Sequence, residues 1–235
     1  MAQETERLVR REFRSPRAAA VAGIVYSLLV ITVMILTAGA ARVRPENVTR
    51  EWLETWSGTF SLVLTMVPFA GIAFLWFTGV IRDRLREQED QFFATIFFGS
   101  GIIQVLLLFM WGAILGTLMR LKSITTLGMV GDFSPDLYIF GIVLMNEIVG
   151  NFALRMGGVY MMAIGTLWTK TGLMPRWFTI GTYILALGFL VASPRIREAR
   201  YIFPTWVFVV SAYVLVLNYR RTDEQEGRDV LALDD

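Results

Sequence analysis

Long apolar runs separated by short charged stretches set the organisation of this chain. Seventeen polar and basic residues, with Arg7, Arg10, Arg11, Arg14 and Arg17 among them, precede an apolar run from Ala18 to Ala41. Further apolar runs cover about 59–81, 92–119, 137–168, 177–193 and 201–218. A run of about 17–25 apolar residues crosses a hydrocarbon core of about 30 Å. The pattern predicts an all-α, polytopic transmembrane helical bundle of six spans, forming one domain over 18–218. The first run exceeds the roughly 7–15 residues of a signal-peptide core. An uncleaved span is therefore expected, although Ala38-Gly39-Ala40 mimics a cleavage site. A basic tail (1–17) and a polar tail (219–235) flank the domain, the second expected to be disordered.

Local signals refine these spans. In the external loop 42–58, Val48, Trp52 and Trp56 recur at i, i+4 and i+8, which predicts a short helix lying in the membrane interface. Pro68 predicts a kink in span two. Mixed charges over 82–90, such as Arg86 with Asp90, predict helices that project into water. Ser134-Pro135-Asp136 has the make-up of a helix start, and Gly172 suits the residue just past a helix end. The apolar pattern from Leu137 to Trp168 is about 48 Å long as a helix, more than a bilayer core needs. It is expected to tilt, to kink near Gly157-Gly158, or to leave the lipid in part. Gly112-Ala-Ile-Leu-Gly116 on span three permits close helix contact, within the chain or in a dimer. Trp52, Trp56, Trp168, Trp177 and Trp206 fall near span ends, as an aromatic belt requires.

Charge sets the orientation. With the N-terminus inside, cytoplasmic segments hold thirteen Lys and Arg and external ones hold eight. Both termini are expected to be cytoplasmic, with Arg195, Arg197 and Arg200 running against the rule. The net charge of +2 is scattered over loops, so nothing argues for nucleic acid.

Composition removes much chemistry. The chain has no histidine and no cysteine. Imidazole haem ligation, the usual zinc sites, disulfides, iron–sulfur clusters and thiol nucleophiles are thereby excluded. The two lysines, Lys122 and Lys170, lie at predicted membrane edges, so no mid-membrane Schiff base has a candidate. Neither a Walker motif nor a Rossmann fingerprint is present. No cofactor or metal is expected. Twenty arginines against two lysines, with abundant Ala, Gly and Val, point to a GC-rich genome such as that of an actinobacterium.

One cluster stands out as a candidate site. Glu147, Asn151 and Arg155, at i, i+4 and i+8, share a face of the fourth helix, with Asn146 on a neighbouring face. A charge near the bilayer centre costs about 2.5–3.5 kcal/mol on insertion scales, so such a stripe needs a reason. Glu147 and Arg155 lie about 12 Å apart along the axis. Asn151 between them can donate to one and accept from the other. Gly150, Gly157 or Gly158, and Gly165 form a small-residue seam beside it. Three readings compete: a buried clamp that fixes packing, a wet cavity or path in which Glu147 takes a proton or cation, and a catalytic site that would add a hydroxyl such as Thr166. A subunit-binding role is a further possibility.

Several segments form a set: Trp76-Phe-Thr-Gly-Val-Ile-Arg-Asp-Arg84, Glu89-Asp-Gln-Phe-Phe-Ala94, Asn151-Phe-Ala-Leu-Arg-Met156, Gly172-Leu-Met-Pro-Arg-Trp177 and Phe203-Pro-Thr-Trp-Val207. Together they resemble an uncharacterised family of small polytopic membrane proteins common in actinobacteria. The resemblance runs from the second helix to the sixth. It implies a multi-span fold in a bacterial plasma membrane and transfers no activity, cofactor or catalytic residue. The expectation is a non-enzymatic small transport or channel-like component, or an accessory membrane subunit. Its partners would be the lipid bilayer and, through the seams at Gly112, Gly116, Gly150 and Gly157, a second copy or another membrane protein. The alternatives are an integral membrane enzyme acting on lipid-linked substrates and a purely structural bundle.

Overall fold

A computed structural model describes the backbone of residues 2–44, 47–85, 91–126, 135–191 and 198–231. The elements are α1 (Ala2–Ala38), a 3-10 turn (Ala40–Arg42), α2 (Arg50–Leu85), α3 (Gln91–Thr126), α4 (Pro135–Glu147), a π-helical segment (Ile148–Ala153), α5 (Leu154–Thr171), α6 (Arg176–Val191) and α7 (Ala199–Leu231). Every regular element among the described residues is a helix.

Five helical stretches are long and apolar enough to cross a membrane: Ala18–Ala38, Arg50–Arg82, Phe92–Leu121, Pro135–Thr171 and Ala199–Leu217. The fourth is a single rod made of α4, the π segment and α5. The expected fifth span corresponds to α6, which has only 16 residues. At 1.5 Å per residue it measures about 24 Å, short of a bilayer core. Pro175 limits it at the start.

Other boundaries also differ from expectation. The supposed interfacial helix is the first part of α2, which runs unbroken through Trp52, Trp56 and Pro68. Leu53 in its first turn, and Val48 just ahead of it, are buried in a cluster of the bundle. The tails extend α1 and α7 as helix, so disorder from Tyr219 onward is not observed up to Leu231. The long fourth rod is irregular at Ile148–Ala153, ahead of Gly157-Gly158, which lie within regular α5. Gly172 does end α5, with φ +65° and its N–H on the Trp168 carbonyl at 2.9 Å. Arg86 with Asp90, and Ser134, lie outside the described residues.

Packing is sequential for the most part. α1 lies against α2 and α7, α3 between α2 and α5, α6 on α5, and α4 chiefly on α3. Gly158 lets α5 and α6 close, because a Cβ there would sit 2.9 Å from the Ala186 carbonyl oxygen. Two buried clusters result. The first is aromatic, with Tyr26, Phe74, Phe97, Tyr160, Phe203 and Trp206 at its heart. The second, around Val33, Leu53, Phe60, Leu115 and Tyr138, fills the end where α1 meets α2. Trp168 and Trp206 belong to the first cluster, each 5% exposed and 5.8 Å apart. They are core residues and not part of a belt, because the Trp206 indole N–H has a partner inside, Thr182 Oγ1 at 3.1 Å. Trp177, at 71% exposure, does face outward.

Candidate functional site

The irregularity in the fourth rod falls between Glu147 and Arg155. A π segment widens one turn and loosens the backbone hydrogen-bond ladder, and such bulges concentrate at functional positions. Two side chains donate to carbonyls of this segment. Arg155 Nη1 reaches the Asn151 carbonyl at 3.0 Å, and Gln104 Nε2 from α3 reaches the Ala153 carbonyl at 3.0 Å. Asn151 Nδ2 in turn donates to Glu147 Oε2 at 3.4 Å. Asn151 thus links the two charges as its spacing foretold, but it accepts through its backbone oxygen.

These bonds stay within one helix. Glu147 and Asn146 are exposed, while Asn151 and Arg155 are half-buried. The neighbouring Phe152 is 57% exposed, so this side of the rod looks away from the bundle. The polar clamp between helices is made instead by Gln104, which ties α3 to the π segment.

The opposite side of the same segment lines a groove. Its lower lobe, about 110 Å³, is bounded by Tyr26 and Val30 of α1, Gln104 and Leu107 of α3, Val149 and Ala153 of the π segment, and Phe203 of α7. Its upper lobe, about 70 Å³, is bounded by Trp52 and Phe60 of α2, Leu118 of α3, and Tyr138 and Asn146 of α4. Thr37, Trp111 and Arg200 line both, so the lobes meet at these three residues. The groove lies where the two core clusters part.

Its polar groups are few. Thr37 Oγ1 donates to the Val33 carbonyl at 2.8 Å, and the Gln104 amide is spent on Ala153. Arg200 is half-buried in the first turn of α7 and is the one cationic residue at either lobe among the described residues. No carboxylate lines either lobe among them. Such a surface can hold an apolar body.

Comparison with known proteins gives no match. Neither a family model, nor a curated protein, nor a solved structure is similar to the chain at a significant level. The functional argument therefore rests on the groove and its chemistry.

The structure redistributes the residues singled out in the sequence. Of the four, Asn146 alone lines the groove; Glu147, Asn151 and Arg155 do not. Thr166 is remote from it, donating to the Met162 carbonyl and accepting from Tyr183 Oη at 3.0 Å. The glycine seams are occupied within the chain. A Cβ at Gly112 would meet Val67, one at Gly116 would meet Leu64, and one at Gly157 would meet Gln104 and Phe203. Arg200, Gln104 and Trp111 were not singled out. A signal existed for two of them: Arg200 opposes the charge rule, and Gln104 is an isolated amide in an apolar run.

Proposed function

We propose that this chain is a non-enzymatic, multi-pass protein of a bacterial plasma membrane, of actinobacterial type. In this reading α6 is a short sixth span, both termini are cytoplasmic, and the groove receives a largely apolar ligand as part of a small transport component. The observation that carries the reading is the groove itself: two adjoining, mostly apolar cavities that share Thr37, Trp111 and Arg200.

The depth of the groove supports it. Lys170 Nζ lies 5.3 Å from the Phe93 ring centre and the Arg82 guanidinium lies 4.2 Å from that of Phe98, and in this reading these contacts lie at the cytoplasmic end of the bundle. Cations and rings of this kind settle at the membrane boundary. Gln104 stands about 16 Å further along α3 from Phe93, near the midplane of a core about 30 Å thick. Arg200 opens the apolar stretch of α7, about 26 Å from Leu217 at the opposite end. In this reading the lower lobe runs from the outer boundary to mid-membrane, with the upper lobe above it.

A role as an accessory subunit draws on a separate observation, the exposed stripe of Glu147 and Asn151, which a membrane partner or a second copy could cover. Catalysis on lipid-linked substrates has less support, since the chain has no histidine or cysteine and, among the described residues, no carboxylate lines the groove to move a proton.

The chain lacks cysteine, so single cysteines report cleanly. Cysteines replacing Leu107 or Val149 should react with a maleimide in phosphatidylcholine nanodiscs and be protected by dodecyl-chain amphiphiles. One replacing Ile184, 66% exposed on α6, should react without such protection. Equal reactivity at all three positions with and without amphiphile would overturn the reading.

A further inference from the structure

We infer that the groove selects a neutral lipophilic alcohol, its hydroxyl held between Tyr26 and Gln104 and its chain running along the groove past Trp111. This rests on the groove reading above and adds the ligand class. Tyr26 and Gln104 line the lower lobe from α1 and α3 and are 7% and 9% exposed. Each stands more than two helical turns inside its apolar stretch, Ala18–Ala38 or Phe92–Leu121, and so well away from the loops. Buried polar groups as a rule have a hydrogen-bond partner, and leaving one without costs stability. Rings nearby obey the rule: the Tyr160 hydroxyl bonds Thr78 and the Trp206 N–H bonds Thr182, both at 3.1 Å. Tyr26 differs. Its ring centre lies 4.5 Å from that of Phe74, but its hydroxyl has no hydrogen bond among the described residues. Gln104 gives one N–H to the Ala153 carbonyl, and its own carbonyl oxygen has no partner among them. Burial alone does not make a site, since the Ser211 hydroxyl is also without a partner among the described residues and is simply packed against Gly23. Tyr26 and Gln104 instead share the wall of a space of about 110 Å³.

The class of guest follows from these two groups. A phenol hydroxyl donates and accepts, whereas an amide oxygen only accepts. A guest that satisfies both must accept from Tyr26 and donate to Gln104, and an aliphatic hydroxyl does both through one oxygen. An ether or ester can only accept. Both protein groups are neutral, and a charge at this depth is costly. The body of the guest follows from the lining, where Val30, Leu107 and Phe203 present hydrocarbon. A dry apolar cavity of about 150 Å³ accepts benzene. A lobe of about 110 Å³, joined to one of about 70 Å³, is of the same order and suits one chain better than two. Trp111 lines both lobes and lies about 10 Å along α3 from Gln104 on the same face. A ten-carbon chain anchored at Gln104 therefore carries its far end to this indole. An alcohol dissolved in the outer leaflet points the other way, with its hydroxyl at the surface.

Bromine quenches indole emission on contact, so the probes are 10-bromodecan-1-ol, 2-bromodecan-1-ol and 1-bromodecane, compared at equal mole fraction in phosphatidylcholine nanodiscs. Trp76 and Trp177, which face outward, are replaced by Phe to remove lipid-facing signal. The 10-bromo alcohol should quench saturably, and the quenching should fall in a W111F variant. It should bind about tenfold more tightly than 1-bromodecane, the scale that one or two hydrogen bonds supply. The 2-bromo alcohol, with bromine beside its hydroxyl, should compete for the site yet quench Trp111 less. Stronger quenching by the 2-bromo alcohol would put the hydroxyl near Trp111 and overturn its assignment to Tyr26 and Gln104.

Tyr26→Phe removes only the hydroxyl oxygen. It should lower the affinity of the alcohol to that of 1-bromodecane, leave 1-bromodecane unchanged, and cause no loss of thermal stability in ligand-free discs. A loss there would show that the hydroxyl already has a partner within the protein, and would overturn the proposal. Should Tyr26→Phe fail to fold, the comparison on the unsubstituted Tyr26 still decides. Equal binding of 10-bromodecan-1-ol and 1-bromodecane means that water alone serves the two polar groups; it overturns the alcohol class and leaves the groove reading standing. Absence of saturable quenching by either overturns both.

Discussion

The two halves of this bundle are built to different standards. Around Tyr160 the packing is complete. That ring is fully buried, in contact with Phe74, Phe97, Phe203 and Trp206, and its hydroxyl bonds Thr78 at 3.1 Å. Where α4 and the π segment face α1 and α7, comparable rings and aliphatic chains leave two joined cavities open. Composition does not explain the contrast, since both regions are rich in aromatic and branched residues. The difference lies in the backbone. Gly158 brings α5 onto α6, whereas the π segment is held by Gln104 to α3 and lines one wall of the open space. One half is closed by packing; the other leaves open space.

Substitutions can break this comparison, and the largest effect belongs to the packed half. Tyr160→Ala should lower unfolding free energy by about 3–5 kcal/mol, read by denaturant titration in mixed micelles. A loss under 1 kcal/mol would mean that the half around Tyr160 is not a finished core. Gln104→Leu removes the donor to the Ala153 carbonyl and should cost about 1–2 kcal/mol in the same assay. If it proved neutral, the bond would have no part in holding the π segment to α3. Val149→Phe should behave in the opposite sense, because filling space stabilises by about 0.5–1 kcal/mol. A clear loss there would show the lower lobe to be closed in solution. Glu147→Gln should change stability least, by under about 0.5 kcal/mol, because the side chain is exposed and its one partner lies on the same helix. A cost of several kcal/mol would reinstate the stripe as a buried clamp, with a partner chain or second copy covering it.

Much of the fold was legible in the sequence because lipid demands long apolar helices, and five of the six runs coincide with helices long enough to span. The Gly172 helix end was legible for a local reason, since a left-handed residue there favours glycine. Position within the bundle was harder to read. Trp168 and Trp206 sit near span ends, yet they point inward, and only the partner Thr182 on another helix reveals it. The site was half legible. Asn146 of the expected stripe lines the groove, and Glu147, Asn151 and Arg155 do not. Spacing of i, i+4, i+8 assumes a regular helix, however, and the π segment falls inside that very stretch. Arg200 registered in the sequence only as a charge on the wrong side of the membrane. In the folded chain it lines both lobes of the groove.

The most direct test of the two-standard bundle is a structure of the protein in lipid nanodiscs containing a single-chain amphiphile. The account predicts elongated density in the groove, past Trp111 toward Gln104, with the surroundings of Tyr160 unchanged. A groove closed by α4 and α7 packing directly together, with no density between them, would contradict it.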